Sequence, residues 1–199
     1  MTRAGLVLDR DGTLVDVVRD EETGVVVTAF HPAQLRLLPG VVEGLARAER
    51  AGLVLAIATN QPGPAKGQCS AAAVTRTNDA LVALLAASGV HVAAVEVCMH
   101  HPLGGAGGDS SLVFECACRK PKAGMLASLA ARLGLDPAKS WLVGDTASDV
   151  LAARAGGFSA ALVHAAGRCE LCPLRDGPSV RADVVGETLD AVVASILAR

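Results

Sequence analysis

Residues 9 to 13 of this 199-residue chain, Asp-Arg-Asp-Gly-Thr, set two carboxylates, a glycine and a hydroxyl directly behind a short apolar run, Gly5 to Leu8. Carboxylates two apart at the end of a strand are expected to project the same way, from the carboxyl end at which open α/β sheets bind ligands. Their mutual repulsion is ~4 kcal/mol at about 4 Å and an effective dielectric of about 20, so a cation must sit between them. A hard ion such as Mg²⁺ suits that place. Three further groups recur at predicted strand or helix ends: Thr59, Lys120 in Arg119-Lys120-Pro121, and Gly144-Asp145-x-x-x-Asp149. Together they supply a carboxylate nucleophile, an acid/base, a metal cage, and donors for phosphoryl oxygens.

A second set has different chemistry. Cys98-x-His100 and Cys116-x-Cys118, separated by 15 residues, offer three thiolates and an imidazole, a Cys₃His set suited to tetrahedral Zn²⁺. His101 adjoins the set and competes with His100 as ligand. The intervening residues carry Gly104, Gly105, Gly107 and Gly108 and little apolar content, so the zinc is expected to be the clip that closes this loop. These glycines lead into no clear helix and are not read as a dinucleotide fingerprint. Cys169 and Cys172 form another close pair, open to reading as a second metal half-site or a reversible disulfide, but two more ligands are not evident and the segment is read as a plain loop.

The elements that must position these groups alternate in type. Strands are predicted at 5–8, 53–58, 91–97, 141–144, 160–163 and 183–185, with helices at 40–51, 70–88, 123–133, 147–155 and 187–198. The pattern predicts an α/β protein with a doubly wound parallel sheet, helices on both faces and one domain over residues 1–199. Between the first strand and helix, two valine-rich arms around Asp20-Glu21-Glu22-Thr23-Gly24 predict a β-hairpin flap at about 14–30, and the zinc loop spans about 98–118.

With 51% hydrophobic residues the chain can bury a full core, but at 2% aromatics and no Tyr that core must be Ala, Val and Leu. A net charge of −2 without blocks of like charge argues against a nucleic-acid or membrane-surface partner and for a small molecule. No apolar stretch approaches the ~18 residues of a membrane span, and a cytoplasmic monomer is expected.

The order Asp9-x-Asp11-Gly12-Thr13, Thr59, Lys120, Gly144-Asp145-x-x-x-Asp149 resembles the haloacid dehalogenase superfamily of phosphatases over nearly the whole chain. The resemblance implies a Rossmann-like fold with Asp9 as nucleophile forming an aspartyl-phosphate, and Asp11 as acid and then base. Mg²⁺ would be held by Asp9, the Asp11 backbone carbonyl and Asp145, with Asp149 a ligand or orienter. Thr13, Thr59 and Lys120 would meet the phosphoryl oxygens. Cys98-x-His100-His101-Pro102, Cys116-x-Cys118-Arg119-Lys120-Pro121 and Thr59-Asn60-Gln61-Pro62-Gly63 resemble the zinc-containing branch of D-glycero-D-manno-heptose 1,7-bisphosphate 7-phosphatases. Histidinol-phosphate phosphatases are more distant members. That branch implies no large cap, with Arg119 and Asn60 gripping substrate. Thr146 stands where many heptose enzymes have a basic residue, which leaves the anomer open.

Two other classes make different demands. A zinc-dependent binding module requires a basic face, which the net charge opposes. A phosphotransferase or phosphorylated regulator must resist hydrolysis of the aspartyl-phosphate, whereas Asp11 as acid/base favours it.

Overall fold

The computed structural model describes residues 2–19, 26–164 and 180–199. Six parallel strands form the main sheet: β1 (Gly5–Leu8), β4 (Val54–Asn60), β5 (Ala94–Cys98), β6 (Trp141–Gly144), β7 (Ser159–Val163) and β8 (Val184–Gly186), in the order β5-β4-β1-β6-β7-β8. Renumbered within the sheet this is 3-2-1-4-5-6, the doubly wound order in which the chain reverses its direction of travel across the sheet beside the first strand. β1 pairs with β4 on one side, Leu8 opposite Ile57, and with β6 on the other, Leu8 opposite Val143. β2 (Val18–Arg19) and β3 (Val26–Val27) pair antiparallel as a separate two-stranded element, and the polar turn expected between them lies outside the described residues.

Alternation along the strands divides the core in two. Leu6, Leu8, Leu55 and Ile57 face α1 (Val41–Arg50), the Leu81 and Leu85 side of α2 (Ala71–Ala87), and α5 (Leu189–Leu197). Val7, Ala56, Ala58 and Leu142 face α3 (Gly124–Leu133) and α4 (Ala147–Gly156). Both faces of the sheet are thus covered, which is why its strands read as continuous apolar runs. Local signals set the helix ends. The Ser70 hydroxyl accepts from the Ala73 N–H at 3.1 Å to start α2, and Gly134, at φ 64°, ends α3 in the left-handed conformation.

The strand expected at 91–97 is displaced to Ala94–Cys98. His91 is drawn aside by its N–H bond to Glu49 Oε1 at 3.0 Å, and pairing with β4 starts at Ala94. Three single-turn 3₁₀ helices were not expected: Pro32–Gln34, Ser110–Leu112 and Pro137–Lys139. Each is started by a side chain, His31, Asp109 or Asp136, accepting from a backbone N–H two residues on.

Candidate active site

Asp9 follows β1, Thr59 lies near the end of β4, and Asp145 follows β6, so three neighbouring strands deliver three side chains to one edge of the sheet. Asp149 reaches the same place from the first turn of α4, and Lys120 from the segment before α3. Oxygens of Asp9, Asp145 and Asp149 lie within 4.8 Å of one another. The buried Lys120 ammonium bridges two of them, 2.8 Å from Asp9 Oδ1 and 2.6 Å from Asp149 Oδ1. The other oxygen of Asp149, Oδ2, accepts from the Thr146 N–H at 3.2 Å and the Thr146 hydroxyl at 2.7 Å. Both Asp149 oxygens are therefore engaged, and this carboxylate braces Lys120 against the start of α4.

Three carboxylates against one ammonium leave a formal charge of −3 + 1 = −2 in a largely buried site. The protein's electrostatics register that excess. Burial, together with the Asp149 charge and against the attraction of Lys120, raises Asp9 to about 6. Burial and then the charges of Asp9 and Asp149 push Asp145 well above the carboxylate range. Lys120 is held firmly protonated by the two carboxylates, which outweigh its burial. A divalent cation of oxygen-seeking character matches both the ligand set and the missing charge.

The Asp11 carboxylate stays outside the cluster formed by Asp9, Asp145 and Asp149, where the alternation would have placed it, although its charge still helps to raise Asp9. β1 ends at Leu8, and the chain turns at once, the N–H groups of Leu14 and Val15 both bonding to the Arg10 carbonyl at 2.9 Å. The Asp11 carboxylate leaves the three-carboxylate cluster and pairs instead with Arg10, whose Nε and Nη2 reach Oδ2 and Oδ1 at 3.1 Å each. It also accepts from Gln61 Nε2 at 2.6 Å. Separate partners offset part of the repulsion expected between the two acids, the Asp11 charge still adding to the rise of Asp9, and any share of Asp11 in a metal site falls to its backbone. Arg10 is the largest fully buried side chain, and it further donates to Asn78 Oδ1 at 2.7 Å, to Thr28 and to the Ala29 carbonyl. Sequence reasoning assigned no role to Arg10, Gln61, Thr28 or Asn78. The usable signals were a cation between two acids and Gln61 at two residues from Thr59.

Thr59 is buried, its Oγ1 accepting from Gln61 Nε2 at 3.0 Å. Thr13 is buried with an Oγ1 that meets no partner. Asn60 was expected to grip substrate, but its amide is engaged with the Lys120 peptide: Oδ1 accepts the Lys120 N–H at 3.1 Å and Nδ2 donates to the Lys120 carbonyl at 3.0 Å. It therefore aligns Lys120. Arg119 lies along a cavity of about 230 Å³ with Pro102, Phe114 and Lys122, and donates to the His100 carbonyl at 3.4 Å. Of the groups around Asp9, only Lys120 borders that cavity.

Two glycines admit the carboxylates. A Cβ on Gly12, at φ +79°, would stand 2.1 Å from Asp145 Oδ2, and one on Gly144 would stand 2.2 Å from Asp149 Cγ. Gly12→Ala must displace Asp145 and strain the turn, so it is expected to lower the affinity for Mg²⁺ and turnover by about 100-fold, a misplacement effect. Metal titration by calorimetry and steady-state kinetics read both; an unchanged metal affinity contradicts this account.

The four atoms Cys98 Sγ, His100 Nδ1, Cys116 Sγ and Cys118 Sγ also lie within 4.8 Å of one another. Edges of 3.2 Å (His100–Cys118), 3.3 Å (Cys116–Cys118) and 3.6 Å (Cys98–Cys116 and Cys98–His100) are close to those of a tetrahedron built with ~2.3 Å Zn–S bonds. They are far too long for a disulfide. His101 points elsewhere, its Nδ1 accepting from the Leu103 N–H at 3.2 Å. Burial would raise Cys116, but hydrogen bonds from Cys118 and the Arg119 N–H bring it down to about 6, so one thiolate is ready-made. Burial pushes Cys98 up. The loop has a second hold that was not expected. A Cβ on Gly108 would lie 2.0 Å from the Ala65 carbonyl oxygen and one on Gly105 2.5 Å from that of Lys66, and the Asp109 N–H bonds to the Pro64 carbonyl at 3.0 Å. The glycines let two loops lie backbone to backbone. Cys169 and Cys172 lie outside the described residues.

Comparison with known proteins agrees with this geometry. A family model described as HAD-hydrolase-like matches residues 117–192. The D-glycero-beta-D-manno-heptose-1,7-bisphosphate 7-phosphatase of Pseudomonas aeruginosa is 35% identical over 155 residues, 78% of each chain. That of Vibrio cholerae is 33% identical over 171 residues, 84% of each. The crystal structure of D,D-heptose 1,7-bisphosphate phosphatase from B. bronchiseptica, complexed with magnesium and phosphate, superposes with a TM-score of 0.76 at 31% identity over 98% of both chains. As in the branch the sequence resembles, no large cap interrupts the described residues, and no described helix is long and apolar enough to cross a membrane. The chain belongs to the haloacid dehalogenase-like hydrolase family, on its heptose-bisphosphate phosphatase branch.

Proposed function

We propose that the chain is a Mg²⁺-dependent phosphomonoesterase that removes the 7-phosphate of D-glycero-D-manno-heptose 1,7-bisphosphate through an aspartyl-phosphate. The observation that carries this reading is Asp9, tied to Lys120 at 2.8 Å within a cluster left two charges negative, in a chain whose relatives share that activity over most of their length. Asp9 Oδ attacks phosphorus, and the bond from phosphorus to the sugar oxygen breaks. Asp11 delivers a proton to that leaving oxygen. Asp11 then takes a proton from water as the water attacks phosphorus, which releases phosphate and restores the Asp9 carboxylate. Lys120, fixed by Asp149 and Asn60, and Thr59 with Thr13 hold the non-bridging oxygens. Mg²⁺, held by Asp9, Asp145 and the Asp11 backbone, supplies the positive charge that lets a phosphate dianion approach these acids. Zn²⁺ on Cys98, His100, Cys116 and Cys118 is structural, keeping Arg119 at the substrate rim. This reading describes one cytoplasmic phosphatase domain, acting as a monomer on a small phosphorylated sugar.

Phosphate release from both anomers of the heptose bisphosphate and from histidinol phosphate, with and without Mg²⁺, tests it. Mg²⁺-dependent preference for a heptose bisphosphate is expected, the beta anomer being the one named for the relatives. Preference for histidinol phosphate would move the substrate and keep the chemistry; no Mg²⁺-dependent release from any of the three would end the proposal.

A further inference from the structure

We infer that Gln61 is a positioning residue that sets the direction of the Thr59 hydroxyl and the seat of Asp11, with the buried Arg10 as its anchor; this rests on the phosphatase reading of the site. Gln61 is fully buried, and its amide has two distinguishable ends. One end meets Arg10 Nη2 at 3.0 Å and the Thr28 hydroxyl at 3.3 Å. A guanidinium only donates, so the amide atom facing it must be the oxygen. The amide nitrogen then points the other way. Its two hydrogens go to Asp11 Oδ2 at 2.6 Å and to Thr59 Oγ1 at 3.0 Å.

The consequence falls on Thr59. A hydroxyl has one proton and accepts through its oxygen. With Gln61 donating to Oγ1, the Thr59 proton is turned away from Gln61, and it meets no acceptor among the described residues. Thr59 is thus presented as a donor to an incoming phosphoryl oxygen before that oxygen arrives, which is the preorganisation that electrostatic catalysis requires. The same amide and the Arg10 fork hold both Asp11 oxygens, so one buried cation, directly and through Gln61, orients two groups with different tasks at the reacting phosphorus, one on a non-bridging oxygen and one on the leaving oxygen. Arg10 is itself fixed from three places, Asn78 on α2, Thr28 and Ala29.

Gln61→Glu is nearly isosteric and separates this role from mere filling of space. It keeps an oxygen against Arg10 but replaces the donor by an acceptor, so the Thr59 proton turns inward to the new carboxylate and the seat of Asp11 is lost. The expected result is a kcat lower by roughly 100-fold and a Kd for inorganic phosphate, measured calorimetrically with Mg²⁺, raised roughly tenfold. Gln61→Met, of similar volume, removes the donor without adding an acceptor; about a tenfold loss of kcat is expected, and this variant decides the matter if Gln61→Glu does not fold. In a Thr59→Val background the phosphate Kd should respond much less to either change, a coupling that a purely structural role would not produce. Wild-type kcat and phosphate Kd in folded Gln61 variants, or strict additivity with Thr59→Val, would overturn the relay while leaving the phosphatase reading intact. If wild type itself releases no phosphate, the phosphatase reading falls, and an unchanged phosphate Kd in the Gln61 variants would then overturn the relay separately.

Discussion

Asp9→Asn is expected to lower phosphate release on the order of 10⁴-fold or more while leaving the fold intact. An amide at this position cannot form the acyl-phosphate, and neither Asp145 nor Asp149 can replace it: Asp149 has both oxygens engaged by Lys120 and Thr146, and Asp145 lies against Gly12. The stability change has the opposite sign. Asp9 is raised from 3.8 to about 6, chiefly by burial and then by Asp149 against the pull of Lys120, so the ionised group costs the metal-free protein at most ~3 kcal/mol at neutral pH. A carboxyl with a raised folded-state pKa makes the protein more stable as pH falls from above 6 toward 4. Wild type without Mg²⁺ should therefore gain melting temperature across that window, whereas Asp9→Asn should melt higher at pH 7.5 and show a smaller gain, the remainder coming from the buried Asp145, which is also raised. Thermal melts at pH 5 and 7.5 in Mg²⁺-free buffer, beside turnover assays, read both effects. An active, well-folded Asp9→Asn protein would sink the mechanism.

Cys116→Ser should lose the zinc and about 10 °C of melting temperature, equivalent to ~3 kcal/mol in a domain of this size. Cys116 is tied to the active site through the backbone, since its Sγ accepts the Arg119 N–H at 3.3 Å and Lys120 follows directly. Turnover should therefore fall together with stability. Cys69→Ser is the control: Cys69 is half-buried beside Gly63, outside the Cys₃His set, and should keep full zinc. Zinc content by metal analysis decides the matter, and equal content in Cys116→Ser and wild type would refute the site.

Much of the site was legible because each signal is local. An apolar run that stops at an acid marks the ends of β1 and β6, one that stops at the Thr59 hydroxyl marks the end of β4, and the three ends fall side by side once the doubly wound order is assumed. The Cys98-x-His100 and Cys116-x-Cys118 pairs were legible from ligand type and spacing, and the path of the backbone turns the competing His101 elsewhere.

Asp11 shows where local reasoning stops. The two-residue alternation holds only while the chain is extended, and the turn beyond Leu8 removes that premise, seating the Asp11 carboxylate on Arg10 and Gln61 rather than in the cluster of Asp9, Asp145 and Asp149. Asn60 has the polar character of a substrate ligand, yet the approach of residue 120 turns it into a clamp on the backbone. The glycines of the zinc loop read as looseness, but they permit a close fit against Ala65 and Lys66.

By itself the sequence determined the layered fold, the strand ends that carry the acids, the Cys/His pairs that come together as a candidate metal set and the chemistry these residue types can support. Only the tertiary structure decided which partners hold each acid, where the Gln61 amide points and why the loop glycines are small. Periodicity acts over a few residues, whereas Arg10 meets Asn78 across 68 positions and Gln61 meets Asp11 across 50, contacts that exist only once the sheet and its helices have packed.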